Sequence, residues 1–361
     1  MKILFLGAYD NSEIIPAPLK VANKLFSEFE TFESLEIKYF TYFYDASRKK
    51  KLFGKEKIKH NIFRFGLFPL LQNVLRYKPN IIQIVNPDAF YLPLYFLKPF
   101  IKSKIIYHSH SLLPHLLKHY LDDISFYERM RFKIICGIVY KKSDYIFLFT
   151  EKEKRYLRRY LEIEEGRIKK IPNGMDDLII KKNYQKQKWK GKIGFIGSLK
   201  RKEKGFYFLI DSLKKINVKV DLHVFDYYPQ QLDFNSSKIK LIFEEPMPEY
   251  ELRKILCEMD CVINSSRYDP FPLIFMEVMN SGILCLFSNK IGQNEILKDE
   301  MLDFQFKYGN SENLKSKYLW MKNLSCEEKD RRSKIFMNYS KYFTWDKIAK
   351  KYNDVYKQLL D

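Results

Sequence analysis

Short, continuous apolar runs alternate with amphipathic stretches along this chain, and the alternation starts afresh once. ILFLGA near the N-terminus, EIKYFTYF, NIIQIV, KIIYHS and DYIFLF are strand-like, and Pro18 to Phe29, Phe132 to Lys142 and Glu151 to Tyr160 carry helical spacing. A lysine-rich stretch, Lys181 to Lys192, interrupts the pattern. It then resumes with GKIGFIGSL, VDLHVFD, IKLIFE, CVINS and ILCLFS. Between or after these strands lie helical segments at Gly205 to Ile216, Pro248 to Met259, Pro272 to Asn280 and Gly292 to Leu297. Apolar runs without alternation belong to parallel strands covered on both faces. The spacing therefore predicts two α/β domains of Rossmann type, residues 1–180 and 181–335. A terminal helix, 336–361, carries an aromatic face that must pack against something, across both domains or within one. Ligands of open α/β sheets bind beyond the C-terminal strand ends, which predicts a cleft served by both domains.

Composition removes other classes. The chain has 361 residues and is 46% hydrophobic, enough for two cores and too much for disorder. Its five cysteines form no metal-like cluster, which fits a reduced, cytoplasmic protein. The opening MKILFLGAYD lacks the cleavage pattern of a signal peptide. The most apolar later stretch, Ala89 to Ile101, is broken by Pro93, Lys98 and Pro99 and is too short to span a bilayer. The net charge of +20 suits an anionic small substrate, anionic lipid or nucleic acid, or reflects scattered lysines alone. A nucleic-acid interface needs clustered cations interleaved with stacking aromatics, and the basic patches here are dispersed, so no nucleic-acid partner is expected.

The chemistry concentrates in NSSRYDPFPLIFMEVMNSG, residues 264 to 282. The strand CVINS ends at its start, and Pro272 suits the first turn of a helix. Asp269 then lies in the loop over the strand end, and Glu277 about a turn and a half into the helix. One acid can accept hydrogen bonds from sugar hydroxyls and the other can hold a ribose diol. The backbone from Phe271 through Pro272 and Leu273 forms a helix start of the kind that receives phosphate. The plainer alternative is a capping acid and a surface glutamate. The same domain opens with GFIGSLKRKEKG. Here Gly197 lets the backbone approach an anion, and Ser198, Lys200, Arg201 and Lys204 crowd the loop before Gly205. Neither a Walker loop nor GxGxxG is present.

Taken in order along nearly the whole chain, these motifs resemble glycosyltransferase family 4, retaining enzymes of the GT-B fold. SSRYDPFPLIFMEVMNSG resembles that family's acid-x7-acid signature, which makes Asp269 the sugar-contacting acid and Glu277 the ribose-binding one. Aspartate replaces the usual glutamate, and Pro272 the usual glycine. GSLKRKEKG resembles the pyrophosphate loop, with Lys204 in the lysine place and Ser198 in that of the arginine, for which Lys200 or Arg201 substitutes. IPNGMD at 171 to 176 resembles the signature closing the first domain. IIYHSH resembles the strand end presenting a histidine to the donor sugar, His110 rather than His108. NKIGQNEI, with Gly292 and Glu295, resembles a further donor loop, and Gly7 the first-domain loop near the donor phosphates. The terminal YFTWDKIAKKYNDVY resembles the family's last helix, which implies that 336–361 crosses back to pack on the first domain.

The resemblance implies transfer, with retention, from a UDP- or GDP-sugar to a glycan, lipid-linked or other envelope acceptor. It implies no metal or other cofactor, with His110 and Asp269 at the reacting centre. The segment RKKKLFGKEKIKH, Arg48 to His60, holds seven Lys or Arg among thirteen residues and fits an anionic membrane face. Two alternatives stay open. One is a GT-B relative altered in chemistry, non-transferring or epimerase-like. The other is a basic nucleic-acid-binding protein, which salt-sensitive binding to random oligonucleotides would reveal.

Overall fold

The computed structural model describes residues 1–10, 12, 17–42, 51–85, 88–112, 115–116, 125–177, 180–184, 188–216, 219–226, 232, 234 and 236–360. The chain divides into two compact units. The first comprises Met1–Asn11, Ile15–Asn173 and Trp345–Asp361, and the second Ser12–Ile14 and Gly174–Thr344.

In the first unit the strands are β1 (Lys2–Leu6), β2 (Glu36–Tyr42), β3 (Lys55–Lys59), β4 (Ile62–Phe65), β5 (Ile81–Ile84), β6 (Lys104–His108), β7 (Tyr145–Leu148) and β8 (Ile168–Lys170). They form one sheet in the order β3-β4-β2-β1-β5-β6-β7-β8, and only β3 runs antiparallel to its neighbour. Its described helices include α1 (Ala17–Phe29), α2 (Leu67–Tyr77), α3 (Leu92–Phe96), α4 (Phe126–Lys142) and α5 (Glu151–Leu161). Capping boxes start two of them: Ser125 with Glu128 at α4, and Thr150 with Glu153 at α5.

β3, KEKIK, was not expected as a strand, because four of its five side chains are charged. It forms as an edge, where solvated lysines are at home and also discourage further pairing. Three residues of the basic segment, 48–50, lie outside the described residues; the described part runs from exposed Leu52 and Phe53 into this edge strand.

The second unit carries β9 (Lys192–Ile196), β10 (Val220–Phe225), β11 (Ile239–Glu244), β12 (Cys261–Asn264), β13 (Cys285–Ser288) and β14 (Gln305–Phe306). Every pairing is parallel, in the order β11-β10-β9-β12-β13-β14. Its helices are α6 (Phe206–Lys214), α7 (Glu249–Glu258), α8 (Leu273–Asn280), α9 (Ser311–Asn323) and α10 (Cys326–Ser340). β9 is central and β12 lies beside it, so the loops that follow them are neighbours. That adjacency builds the site below.

The last helix, α11 (Trp345–Leu360), belongs to the first unit. Tyr352 and Tyr356 are fully buried there, against Phe29 of α1 and Phe147 of β7, with ring centroids 5.5–6.4 Å apart. Burial of side chains of this size stabilises by about 1.5–3 kcal/mol each. Tyr356 also donates its hydroxyl hydrogen to Gln83 of β5.

Candidate active site

The loop after β9 and the loop after β12 are tied together atom by atom. Gly205 has φ +73°, a left-handed conformation that suits glycine, and caps α6. A Cβ on Gly205 would lie 2.0 Å from the carbonyl oxygen of Ser265, so only glycine allows this approach. The Ser265 hydroxyl donates to the Gly205 carbonyl at 3.0 Å. The backbone N–H of Arg267 donates to the carbonyl of Glu203 at 2.6 Å. Across this seam the Lys204 ammonium meets the Asp269 carboxylate at 2.5 Å, both side chains largely shielded from solvent. The stem of Lys204 lies along Gly197, where a Cβ would sit 3.2 Å from its Cγ.

The two acids of the signature differ in setting. Asp269 is buried in the loop; its carbonyl accepts from Gly292 N–H at 2.8 Å, which brings the NKIGQNEI loop alongside. Glu277 is the fifth residue of α8 and is buried, which removes the surface-glutamate alternative. That helix is almost wholly core: Leu273, Phe275, Met276, Val278 and Met279 are buried with it. A carboxylate retained on such a helix needs polar partners. Pro272 is the N-cap and contributes no side-chain cap, while its carbonyl accepts from Gln293 at 2.9 Å. Phe271, also buried, supports this helix start.

The loop cations have separate fates. Arg201 pairs with Glu203 at 2.5 Å, and Lys204 with Asp269. Lys200 is exposed and makes no ion pair among the described residues; Ser198 is half-buried beside it. Among the described residues, Lys200 is thus a loop cation with no carboxylate partner. Glu203 escaped the sequence reading. It is 2% exposed and anchors both Arg201 and the backbone of residues 267–268, and the signal was a lone acid inside LKRKEKG. Asp226, which accepts from the Leu199 N–H at 2.9 Å and fixes the turn after β9, was missed for the same reason: it follows VDLHVF as an ordinary strand-end acid.

In the first unit, Gly7 follows β1, and a Cβ there would meet the Tyr39 hydroxyl at 3.0 Å and Val85 Cβ at 3.2 Å. His110 lies two residues past the end of β6 and packs on buried His108, with ring centroids 4.3 Å apart. Tyr352 of α11 meets His108 Nε2 at 3.1 Å. Burial lowers both imidazoles, His110 to about 3, so both are neutral at physiological pH. Among the described residues no group of three or more His, Cys, Asp or Glu could hold a metal ion.

A parallel sheet with a glycine turn, loop cations and a helix start at adjoining strand ends is an α/β arrangement that can receive a phosphate-bearing ligand. Two family descriptions match the chain: "Glycosyltransferase Family 4" over residues 38–177 and "Glycosyl transferases group 1" over residues 190–322. The chain belongs to the family 4 glycosyltransferases, enzymes of the GT-B fold. Three solved structures are similar over nearly their whole length. Sucrose-phosphate synthase from Thermosynechococcus elongatus is 12% identical with a TM-score of 0.76, covering 99% of this chain and 98% of that one. Anabaena Alr3699/HepE in complex with UDP-glucose is 14% identical with a TM-score of 0.70, covering 99% and 100%. The lipopolysaccharide outer core galactosyltransferase WaaB is 15% identical with a TM-score of 0.69, covering 98% of each. At such identities the likeness is one of fold. No curated protein matches the sequence.

The neutral His110 has a consequence for stability. Its folded pKa, about 3, lies below the ordinary 6.5. Between those values the unfolded chain takes up a proton that the folded chain refuses, so stability falls as pH drops through that window. His110→Asn removes this contribution. Thermal melting from pH 7 down to pH 4.5 is expected to show a smaller loss of Tm in the variant than in the wild type. Equal losses would contradict an imidazole held neutral in the folded chain.

Proposed function

We propose that this glycosyltransferase takes its sugar from a nucleoside-diphosphate donor held by the second unit, and passes it with retention to an acceptor held by the first. The observation that carries the reading is the Lys204–Asp269 pair at the seam of the β9 and β12 loops. An ammonium has three N–H donors. Lys204 gives one to Asp269 and keeps two for the diphosphate, and Lys200 adds a second cation. The start of α8, at Pro272 and Leu273, adds backbone dipole. Negative charge grows on the diphosphate as the glycosidic bond breaks, so donors fixed there lower the barrier. Glu277 holds the ribose and Asp269 orients the sugar, and His110 is the first unit's candidate catalytic group, a neutral hydrogen-bonding imidazole. The bound UDP-glucose of the HepE complex supports a UDP-sugar as donor. Charge stabilisation by lysines and a helix start makes a metal unnecessary.

Lys204→Ala is expected to weaken nucleoside-diphosphate binding by roughly 1.5–3 kcal/mol, the range of a charge-assisted bond. Asp269→Ala is expected to act differently. It frees Lys204 for the phosphate, so affinity holds or rises while turnover collapses. Titration calorimetry and a transfer assay on folded variants, run with and without EDTA, separate these effects. Unchanged nucleotide affinity in Lys204→Ala, or transfer abolished by EDTA and restored by magnesium, would remove the proposed site.

The acceptor is a glycan or lipid-linked carrier at a cytoplasmic membrane face. No helix among the described residues is long and apolar enough to cross a membrane. The support is the exposed edge formed by Leu52, Phe53 and the lysines of β3, with Phe68 of α2 stacked on Phe53 at 5.2 Å. Each cation at an anionic surface contributes on the order of 1 kcal/mol. The protein is expected to sediment with vesicles containing anionic lipid, less so as salt rises, and weakly with Lys57→Glu/Lys59→Glu. Wild-type protein left in the supernatant at low salt would point to a soluble acceptor instead.

A further inference from the structure

On the flank of the first sheet, residues of β1, β2, β3, β4 and α2 line a groove of about 380 Å3. This lies within the range of small-molecule sites, roughly 300–1,000 Å3. No residue of the proposed donor site lines it; Lys55, from the basic segment Arg48 to His60, does.

The groove concentrates positive charge. Lys2 and Lys38 share one carboxylate, Glu36, at 3.4 and 3.8 Å. Both ammonium groups also converge on the ring of Tyr77, at 5.5 and 4.1 Å from its centroid. The Tyr77 hydroxyl donates to the Glu36 carbonyl at 2.9 Å, which fixes that ring in place. Lys55 and Arg76 line the same groove, and neither has a carboxylate partner among the described residues. Four cations face one acid, and their mutual repulsion is relieved by an anion that reaches several of them.

The rest of the lining is not that of a bare phosphate site. Phe63 is half-buried and forms an apolar wall suited to the C–H face of a ring. Asn73 gives one of its two amide N–H donors to the Pro69 carbonyl at 2.7 Å, leaving its carbonyl oxygen as an acceptor for a hydroxyl. Glu36 offers a second acceptor. Cations, an apolar wall and hydroxyl acceptors together describe a polyhydroxylated ring that carries negative charge.

We propose that this groove is a second ligand site, taking a sugar that bears phosphate or carboxylate. The sugar comes either from a free sugar phosphate or from an acidic unit of a glycan chain. The site stands apart from the donor reading, because it shares none of its residues.

Calorimetric titration of the full chain with glucose 6-phosphate and with trigalacturonate distinguishes the two sources. Glucose and inorganic phosphate serve as the neutral and bare-anion controls. At least one of the two acidic ligands is expected to bind tenfold or more tightly than both controls, and less tightly as salt rises. Preference for glucose 6-phosphate identifies a free sugar phosphate, and preference for trigalacturonate identifies a glycan unit. Lys38→Glu/Arg76→Glu is expected to weaken that binding tenfold or more with an unchanged circular dichroism spectrum. If the double reversal unfolds the chain, Lys38→Gln/Arg76→Gln gives the same reading with about a threefold loss. Three results would overturn the proposal: no binding of either acidic ligand at millimolar concentration and low salt, inorganic phosphate binding as tightly as both, or affinity unchanged in the folded variants. Nucleoside-diphosphate affinity is measured on the same samples. Its retention in a variant that loses the acidic sugar separates this site from the donor site.

Discussion

The contact on which the second unit's chemistry depends is the close passage of Gly205 beneath the Ser265 carbonyl. It draws the loop after β9 against the loop after β12 and sets Lys204 beside Asp269 at 2.5 Å. A partly buried ion pair stabilises little by itself, because desolvation offsets much of the attraction, yet removal of one partner leaves the other charge exposed to that cost. Its value here is positional. It fixes a cation and a carboxylate at adjacent points, one suited to phosphate and the other to sugar hydroxyls. Glu203 reinforces the seam by holding the 267–268 backbone and the Arg201 guanidinium.

The first unit is organised around a different element, the returning helix α11. Tyr352 reaches His108, and His108 supports His110. Tyr356 reaches Gln83 on the neighbouring β5. The C-terminal segment is thereby part of the first unit's core, and the ring stack on Phe147 and Phe29 makes that docking apolar and dense. His110 packs on this network through the His108 ring.

Much of this was legible because parallel strands buried on both faces announce themselves as unbroken apolar runs. KILFL, CVIN and CLFS all fall where that rule puts them. That Asp269 follows a strand end and Glu277 lies within the next helix was legible from their spacing. What escaped had weak local signals. β3 is charged nearly throughout and becomes a strand only by pairing with β4. Helix α9 buries only Leu314, Tyr318 and Met321 in a lysine-rich stretch, too few to mark it against a polar background. Glu203 looked like one more charge in a charged loop, and its burial is a tertiary fact: the backbone of a loop more than sixty residues away in sequence closes over it. The division of the chain at Asn173 and at Thr344 is likewise set by packing rather than by composition.

The central claim is that this chain binds a nucleotide-activated sugar through its second unit. Saturation-transfer NMR on the purified protein with UDP-, GDP- and ADP-sugars in turn tests it most directly. The account predicts that one nucleotide class shows strong transfer to its ribose and sugar protons, displaced by the matching nucleoside diphosphate. Absence of transfer from every nucleotide sugar, in protein whose fold is intact, would contradict it.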